Sequence, residues 1–259
     1  MKKRISSKLR EKPTSVTAVY AVLSAYTFIV TAVFLIKGDF RKVLGAATTL
    51  AFFLLPGLFE KLLKMKFPAM LEIAIVFFIF SGPLLGEIHY LYVRTWYWDK
   101  LMHTVSGFIF AAVGYTFFNT QRQEKQLGSS PSLYLAAAAI CFSIAIAVLW
   151  EFYEFGADRL LSIDMQKDTV INTISSVMLD PTNRNIPIVI KDITDVAVNG
   201  ESLGFDGYLD IGLYDTMADL LCNTVGAIIF YVTAYIDTKT NKRLLNKVVP
   251  VWCDSVAEQ

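Results

Sequence analysis

Residues 98–118, WDKLMHTVSGFIFAAVGYTFF, decide the class of this protein. Past the polar WDKLMH the stretch stays apolar, and its length matches the roughly 20 residues a helix needs to cross a bilayer. Asp99 and His103 stand four residues apart at its mouth, one helical turn apart on one face.

Five further blocks share this character. They run from about Val16 to Ile36, Val43 to Leu63, Phe67 to Tyr90, Leu133 to Phe155 and Leu213 to Ile236. With Trp98–Phe118 as the fourth, they make six expected spans. Pro56-Gly57 predicts a kink in the second. GPLLGE near the far end of the third predicts a broken or displaced last turn. Hydrophobic residues make up 54% of the chain and charged residues 18%, with a mean hydropathy of +0.48. A soluble domain carries about a quarter charged residues. Net charge is +1, so no basic field points to nucleic acid. Cys141 and Cys222 fall inside apolar blocks and Cys253 in the tail, which gives neither a disulfide framework nor a CxxC metal site. The basic MKKRISSKLREK leads into an apolar run longer than the roughly 7–15 residues of a signal-peptide core, so that run is read as the first membrane helix.

Lysine and arginine set the expected orientation. Fifteen of the 24 fall on the side of the N-terminal segment, the loop after the second span (Lys61, Lys64, Lys66), the loop after the fourth (Arg122, Lys125) and the C-terminal tail. Nine fall on the other side, four of them (Arg159, Lys167, Arg184 and Lys191) in or just before one long loop. Both termini are therefore expected in the cytoplasm, with the chain multi-pass in the membrane. The loop of about Ser162–Gly212 is then external, and its β-branched alternation around Asn199-Gly200 predicts a β-hairpin. The expected fold class is an all-α polytopic membrane protein: a bundle of about six transmembrane helices with a small extracytoplasmic β-hairpin insert. The expected divisions are 1–161 (five spans), 162–212 (the external loop) and 213–259 (the sixth span and tail).

The charges then sort by depth. Asp99 and His103 belong to the outer half of the fourth span. Glu151, Glu154 and Asp158 follow at i, i+3 and i+7 at the outer end of the fifth. Asp215, Asp219 and Asn223 follow at i, i+4 and i+8 in the sixth, with Gly226 about a turn deeper, and Glu87 and His89 close the third. Ionisable groups inside a span cost about 2.5–3.5 kcal/mol each at its centre, so these should face the bundle. Seven carboxylates (Glu87, Asp99, Glu151, Glu154, Asp158, Asp215, Asp219) outnumber three nearby cations (Arg94, Lys100, Arg159). Such a cluster takes up protons, recruits histidine cations or binds a metal cation.

Plainer readings stand beside this one. Asp99 and Asp215 suit helix N-caps. His103 suits a neutral interhelical hydrogen bond, and Glu151 and Glu154 suit interhelical glue. Asp158 and Arg159 suit an interfacial charge pair, and Asn223 and Gly226 suit close helix packing.

At WDKLMH, WEFYEFGADRL and LDIGLYDTMADLLCNTVGA the sequence resembles the YjdF-like family of bacterial integral membrane proteins, over about residues 15–163 and 208–236. The 164–207 insert is longer than that resemblance implies. A second resemblance is to VanZ-like membrane proteins, through Asp99-Lys100-x-x-His103, the acidic Glu151 and Glu154, and Asp219-x-x-x-Asn223-x-x-Gly226. The glutamine and arginine of that family have only Gln166 and Arg159 as counterparts. VanZ-like proteins are associated with glycopeptide resistance, and the resemblance implies a role at the cell envelope.

Three functions stay open. The first is an enzyme or binder acting on an envelope lipid. A divalent cation would be held by Asp99, His103, Glu151, Glu154, Asp215 and Asp219, with His103, Asp99 and Glu151 as the catalytic groups, and with Glu87, Asp158 and Asn223 completing the polar site. Oxygen ligands suit Mg²⁺, Ca²⁺ or Mn²⁺, and imidazole admits Zn²⁺. The second is a proton- or cation-coupled carrier, against which the first two spans offer almost no polar interior. The third is a non-catalytic scaffold. In all three the lipid bilayer is a partner.

Overall fold

Among the described residues, six helical stretches are long and apolar enough to cross a membrane. The computed structural model describes residues 12–124, 133–240 and 243–252. Expectations on Lys2, Lys3, Arg4, Lys8, Arg10, Lys125, Lys242 and Cys253 lie outside those residues. Among the described residues, α1 (Thr14–Ile36) is the first span. Val22, Phe28, Ile29 and Leu35 on its surface are exposed, which suits a helix set in hydrocarbon.

The second span is two helices, α2 (Phe40–Phe52) and α3 (Leu55–Leu63). Pro56 sits in the first turn of α3, where its missing N–H has no intrahelical partner to lose. The predicted kink is thus a break just ahead of the proline. The third span starts as α4 (Ala69–Phe80) and widens into a π-helical segment over Ser81–Ile88. His89 N–H donates to Leu84 O at 3.0 Å, five residues back. The expected displacement at GPLLGE is this wider turn. Gly86 is required there: a Cβ would lie 2.1 Å from Tyr92 Cε2. After α5 (Leu91–Arg94) come α6 (Trp98–Glu124), α7 (Leu133–Leu161), α8 (Leu213–Thr240) and the short α9 (Leu245–Val248).

The described residues fall into two compact units, one within 1–146 and 222–259, the other 147–221. The second is wider than the expected loop of 162–212, because it includes the end of α7 and the start of α8. In the first unit, α1, α2, α4 and the π segment close on Val30, Ala46, Phe53, Val76, Phe80 and Leu84. A second core joins Ala111 and Ala112 of α6 to Ala227 and Phe230 of α8 and Val248 of α9. Strand β1 (Met65–Lys66), between α3 and α4, pairs antiparallel with β8 (Val251–Trp252), so Met65 faces Trp252. Thr116 Oγ1 of α6 donates to Pro250 O at 3.0 Å, which anchors the same tail.

The second unit holds the strands. Strands β2 (Thr169–Ile171) and β7 (Tyr208–Asp210) pair antiparallel at the base of the insert. Strands β3 (Ile174–Ser176) and β4 (Ile188–Ile190) pair within it. Strands β5 (Ala197–Val198) and β6 (Glu201–Ser202) form the predicted hairpin. Its turn residues Asn199 (φ 54°) and Gly200 (φ 84°) are both left-handed, as a two-residue type I′ turn demands. Asp180 orders the loop between β3 and β4. Its carboxylate accepts from the Thr182 hydroxyl and amide and from the Arg184 and Ile186 amides. These bonds hold the carboxyl at about 2, the Thr182 hydroxyl contributing most.

Candidate functional site

In the first unit, Asp99 lies in the first turn of α6, where a negative charge meets the positive end of the helix dipole. One of its oxygens accepts from Lys100 Nζ at 3.1 Å. The other lies 3.7 Å from Nε2 of the buried His103, beyond hydrogen-bond range. The pair is a carboxylate beside an imidazole, the arrangement that makes a base or an N/O ligand pair.

A turn deeper, α6 and α8 touch backbone to backbone. A Cβ on Gly107 would lie 2.0 Å from Asn223 O, and one on Gly226 would lie 1.9 Å from Thr104 O. This close approach is what small residues permit between membrane helices. Asn223 is 1% exposed. Its Oδ1 accepts from Ser143 Oγ at 3.1 Å and its Nδ2 donates to Ser106 Oγ at 3.4 Å, while Ser143 Oγ also lies 3.0 Å from Gly107 O. Asn223 therefore ties α6, α7 and α8 together, as the packing reading expects.

Further along the same unit, Glu87 is exposed in the π segment, and His89 Nε2 shares a 3.0 Å hydrogen bond with Tyr26 Oη of α1.

In the second unit the expected i, i+3, i+7 face of α7 points inward. Glu151 is 4% exposed and Glu154 is buried, while Phe152, Tyr153 and Phe155 between and beyond them are exposed. Glu154 accepts from Trp150 Nε1 at 2.8 Å. Asp215 and Asp219 on α8 are also buried, Asp219 completely (0%), with Met217 and Leu221 exposed on the opposite side. Residues 165–167 bridge the two helix ends. Asp158 accepts from the Met165 and Gln166 amides at 2.6 and 2.9 Å. Asp215 accepts from the Lys167 amide at 2.7 Å, and Gln166 Nε2 donates to Thr216 Oγ1. Ahead of α8, the Asp210 side chain accepts from Tyr214 N in the first turn at 2.9 Å, the kind of bond a cap makes. Asp215 sits inside the first turn and receives the insert instead. Arg159 lies 5.5 Å from the Phe155 ring centre, and Lys167 Nζ pairs with Asp164. Partial desolvation raises the Asp168 carboxyl above its usual range, with the charges of Asp164, Asp210 and Asp158 adding to it and Lys167 opposing.

One polar cluster has no counterpart in the sequence reading. In the first unit, Glu72 of α4 is 2% exposed. It pairs with Lys12 and accepts from Tyr20 Oη of α1 at 3.1 Å. Lys12 Nζ also stands 4.9 Å from the Tyr20 ring centre. Glu60 of α3, also buried, accepts from Phe67 N at 2.9 Å and Lys66 Nζ at 3.1 Å. Glu72 and Lys12 lie outside the first two spans, to which this cluster adds only the buried Glu60 of α3 and the Tyr20 hydroxyl of α1. The available signal was one carboxylate in the otherwise apolar AMLEIAIVFFIF.

Residues 18–240 match the family described as "Predicted membrane protein (DUF2238)". An "Uncharacterized protein" of Thermotoga maritima is 23% identical over 128 residues, which is 48% of this chain and 64% of that relative. No solved structure matches.

Proposed function

The chain belongs to the DUF2238 family of predicted membrane proteins, and from that premise we propose that it is a divalent-cation-dependent binder or enzyme for a lipid of the cell envelope. One observation carries this reading: four carboxylates, Glu151, Glu154, Asp215 and Asp219, are buried in a unit of 75 residues. Burial disfavours the charged form of each carboxylate unless hydrogen-bond donors, protons or a cation offset it. Oxygen donors favour Mg²⁺, Ca²⁺ or Mn²⁺. In the first unit, Asp99 and His103 are an N/O pair of their own, able to hold a cation or to act as a general base oriented by its carboxylate. In this reading Glu151 shares the acid–base work, and Glu87, Asp158 and Asn223 support the surrounding polar groups. The distribution of lysine and arginine supports cytoplasmic termini, and the resemblance to YjdF-like bacterial membrane proteins supports a bacterial plasma-membrane location. The likeness of Asp99-Lys100-x-x-His103 to VanZ-like proteins supports the envelope as the setting.

The test is metal analysis of the detergent-purified protein by mass spectrometry, beside the Asp99→Ala, His103→Ala, Glu151→Gln and Asp219→Ala variants. About one equivalent of divalent metal, lost in Asp219→Ala and Glu151→Gln, is the expected result. Loss of metal in Asp99→Ala or His103→Ala would show that this pair holds metal too. Folded wild type that neither retains nor takes up Mg²⁺, Ca²⁺, Mn²⁺ or Zn²⁺ sinks the proposal. A second reading, a proton- or cation-coupled carrier, draws support from the buried Glu72 and its partners Lys12 and Tyr20. It would lead in that case.

A further inference from the structure

A basic and aromatic corner of the first unit is used by none of the foregoing. It is built where α1 ends, α2 begins and the π segment gives way to α5. Lys42 Nζ stands 4.7 Å from the Phe34 ring centre and 4.9 Å from that of Tyr90. Lys37 Nζ lies 5.6 Å from the Phe34 ring and Arg94 Cζ lies 5.4 Å from the Tyr90 ring. Three cations thus gather around two rings. Asp39 is already engaged: it caps α2 by accepting from Lys42 N at 3.2 Å, and its other oxygen lies 3.3 Å from Lys42 Nζ. With Arg41 beside them the cations number four, against Asp39 and the exposed Glu87 of the π segment, which leaves the corner positive.

Two observations give this charge a direction. Ile36, Phe40, Val93 and Trp96 around it are exposed. Apolar and aromatic side chains flanking cations at the end of a membrane span are the composition that meets lipid headgroups. Tyr90, moreover, is held at φ 62°, a left-handed conformation that costs a non-glycine residue roughly 1–2 kcal/mol. Strain of this kind persists where the surroundings fix it and collects at binding sites. Here it sets the ring between Lys42 and Arg94.

We propose that Lys37, Lys42 and Arg94, arranged on the Phe34 and Tyr90 rings, bind the phosphodiester of an anionic phospholipid. The cations take the phosphate charge, and the exposed apolar side chains meet the acyl chains. This site stands on its own observations, and its fate is independent of metal binding.

The experiment is native mass spectrometry of the full chain in detergent, titrated with dioleoyl-phosphatidylglycerol, dioleoyl-phosphatidylcholine or inorganic phosphate. Wild type should bind phosphatidylglycerol in preference to phosphatidylcholine. Removing each cation (Lys37→Gln, Lys42→Gln, Arg94→Gln) should weaken that binding about five-fold, since one basic residue near an anionic lipid surface contributes about 1 kcal/mol. Lys42→Arg should keep it. Lys37 and Arg94 are exposed, so their variants test the charge without threatening the fold. Equal binding of the two lipids overturns the proposal. So does a phosphatidylglycerol preference that survives in the triple variant. If phosphate at the same concentration displaces the lipid, the site is for a free anion and the lipid assignment fails.

Discussion

Replacing Gly226 by alanine tests the contact between α6 and α8. The new Cβ would start 1.9 Å from Thr104 O and 3.0 Å from Phe108 N, against an ordinary contact of 3.4 Å or more. Both atoms are backbone, so no rotamer change can relieve the clash. The helices must part by about 1.5 Å, and a gap of about 1 Å already forfeits up to half of a van der Waals well. Overpacking of this kind costs about 1–3 kcal/mol. The movement also strains the bonds of Asn223 to Ser143 and Ser106, now 3.1 and 3.4 Å, at about 1 kcal/mol each. A total of about 3 kcal/mol lowers the midpoint of thermal unfolding by roughly 5–10 °C for a chain of this size. Gly156→Ala is the internal comparison. A Cβ there meets nothing within 4 Å, so losing the flexible residue should stabilise the helix by about 0.4–1 kcal/mol. Both variants would be melted in the same detergent and followed by circular dichroism and light scattering. A monodisperse Gly226→Ala protein melting within about 1 °C of wild type would refute the reasoning.

Lys12→Ala should destabilise the protein by about 1–3 kcal/mol, less than a fully buried pair would lose, because the Lys12 side chain is 39% exposed. Adding Glu72→Gln should restore part of that loss in a double-mutant melt, since the uncompensated charge is then gone; no recovery would contradict the pair. Asp180 has a folded-state pKa of about 2, below the ordinary value of about 3.9. Its contribution to stability is therefore present above pH 4 and lost as pH falls towards 2. Asp180→Asn should separate from wild type in denaturant unfolding at pH 6 and converge with it near pH 2. A gap that stays constant with pH would show that the Asp180 charge is not what orders that loop.

The membrane class was legible because bilayer thickness fixes the length of an apolar helix, and all six stretches show it. The hairpin was legible because Asn199-Gly200 is the pair that accepts two left-handed residues in a row. The inward faces of α7 and α8 followed from spacing alone: Glu151 and Glu154, and Asp215 and Asp219, are buried in the expected rhythm. The role of Asn223 was also foreseen among the plainer readings, because an amide a turn before a glycine suits a close helix crossing. Less legible were features made by distant partners. Glu72 looked like a lone carboxylate because Lys12 and Tyr20 belong to another helix far earlier in the chain. Asp215 resembled a cap because nothing local shows that Asp210 reaches Tyr214 first. The pairing of Met65–Lys66 with Val251–Trp252 has no local signature, since two-residue strands are defined only by their partner.

That last pairing bears on how the protein is made. Residues 65–66 join α3 to α4 and leave the ribosome early, yet their strand partner is translated only after α8. Until Pro250 and Val251 arrive, β1 has no strand to pair with and Thr116 lacks its tail acceptor. Insertion into the bilayer and completion of the fold are therefore separate events in time. The early helices enter the membrane first, and a late-made segment locks the connection between them.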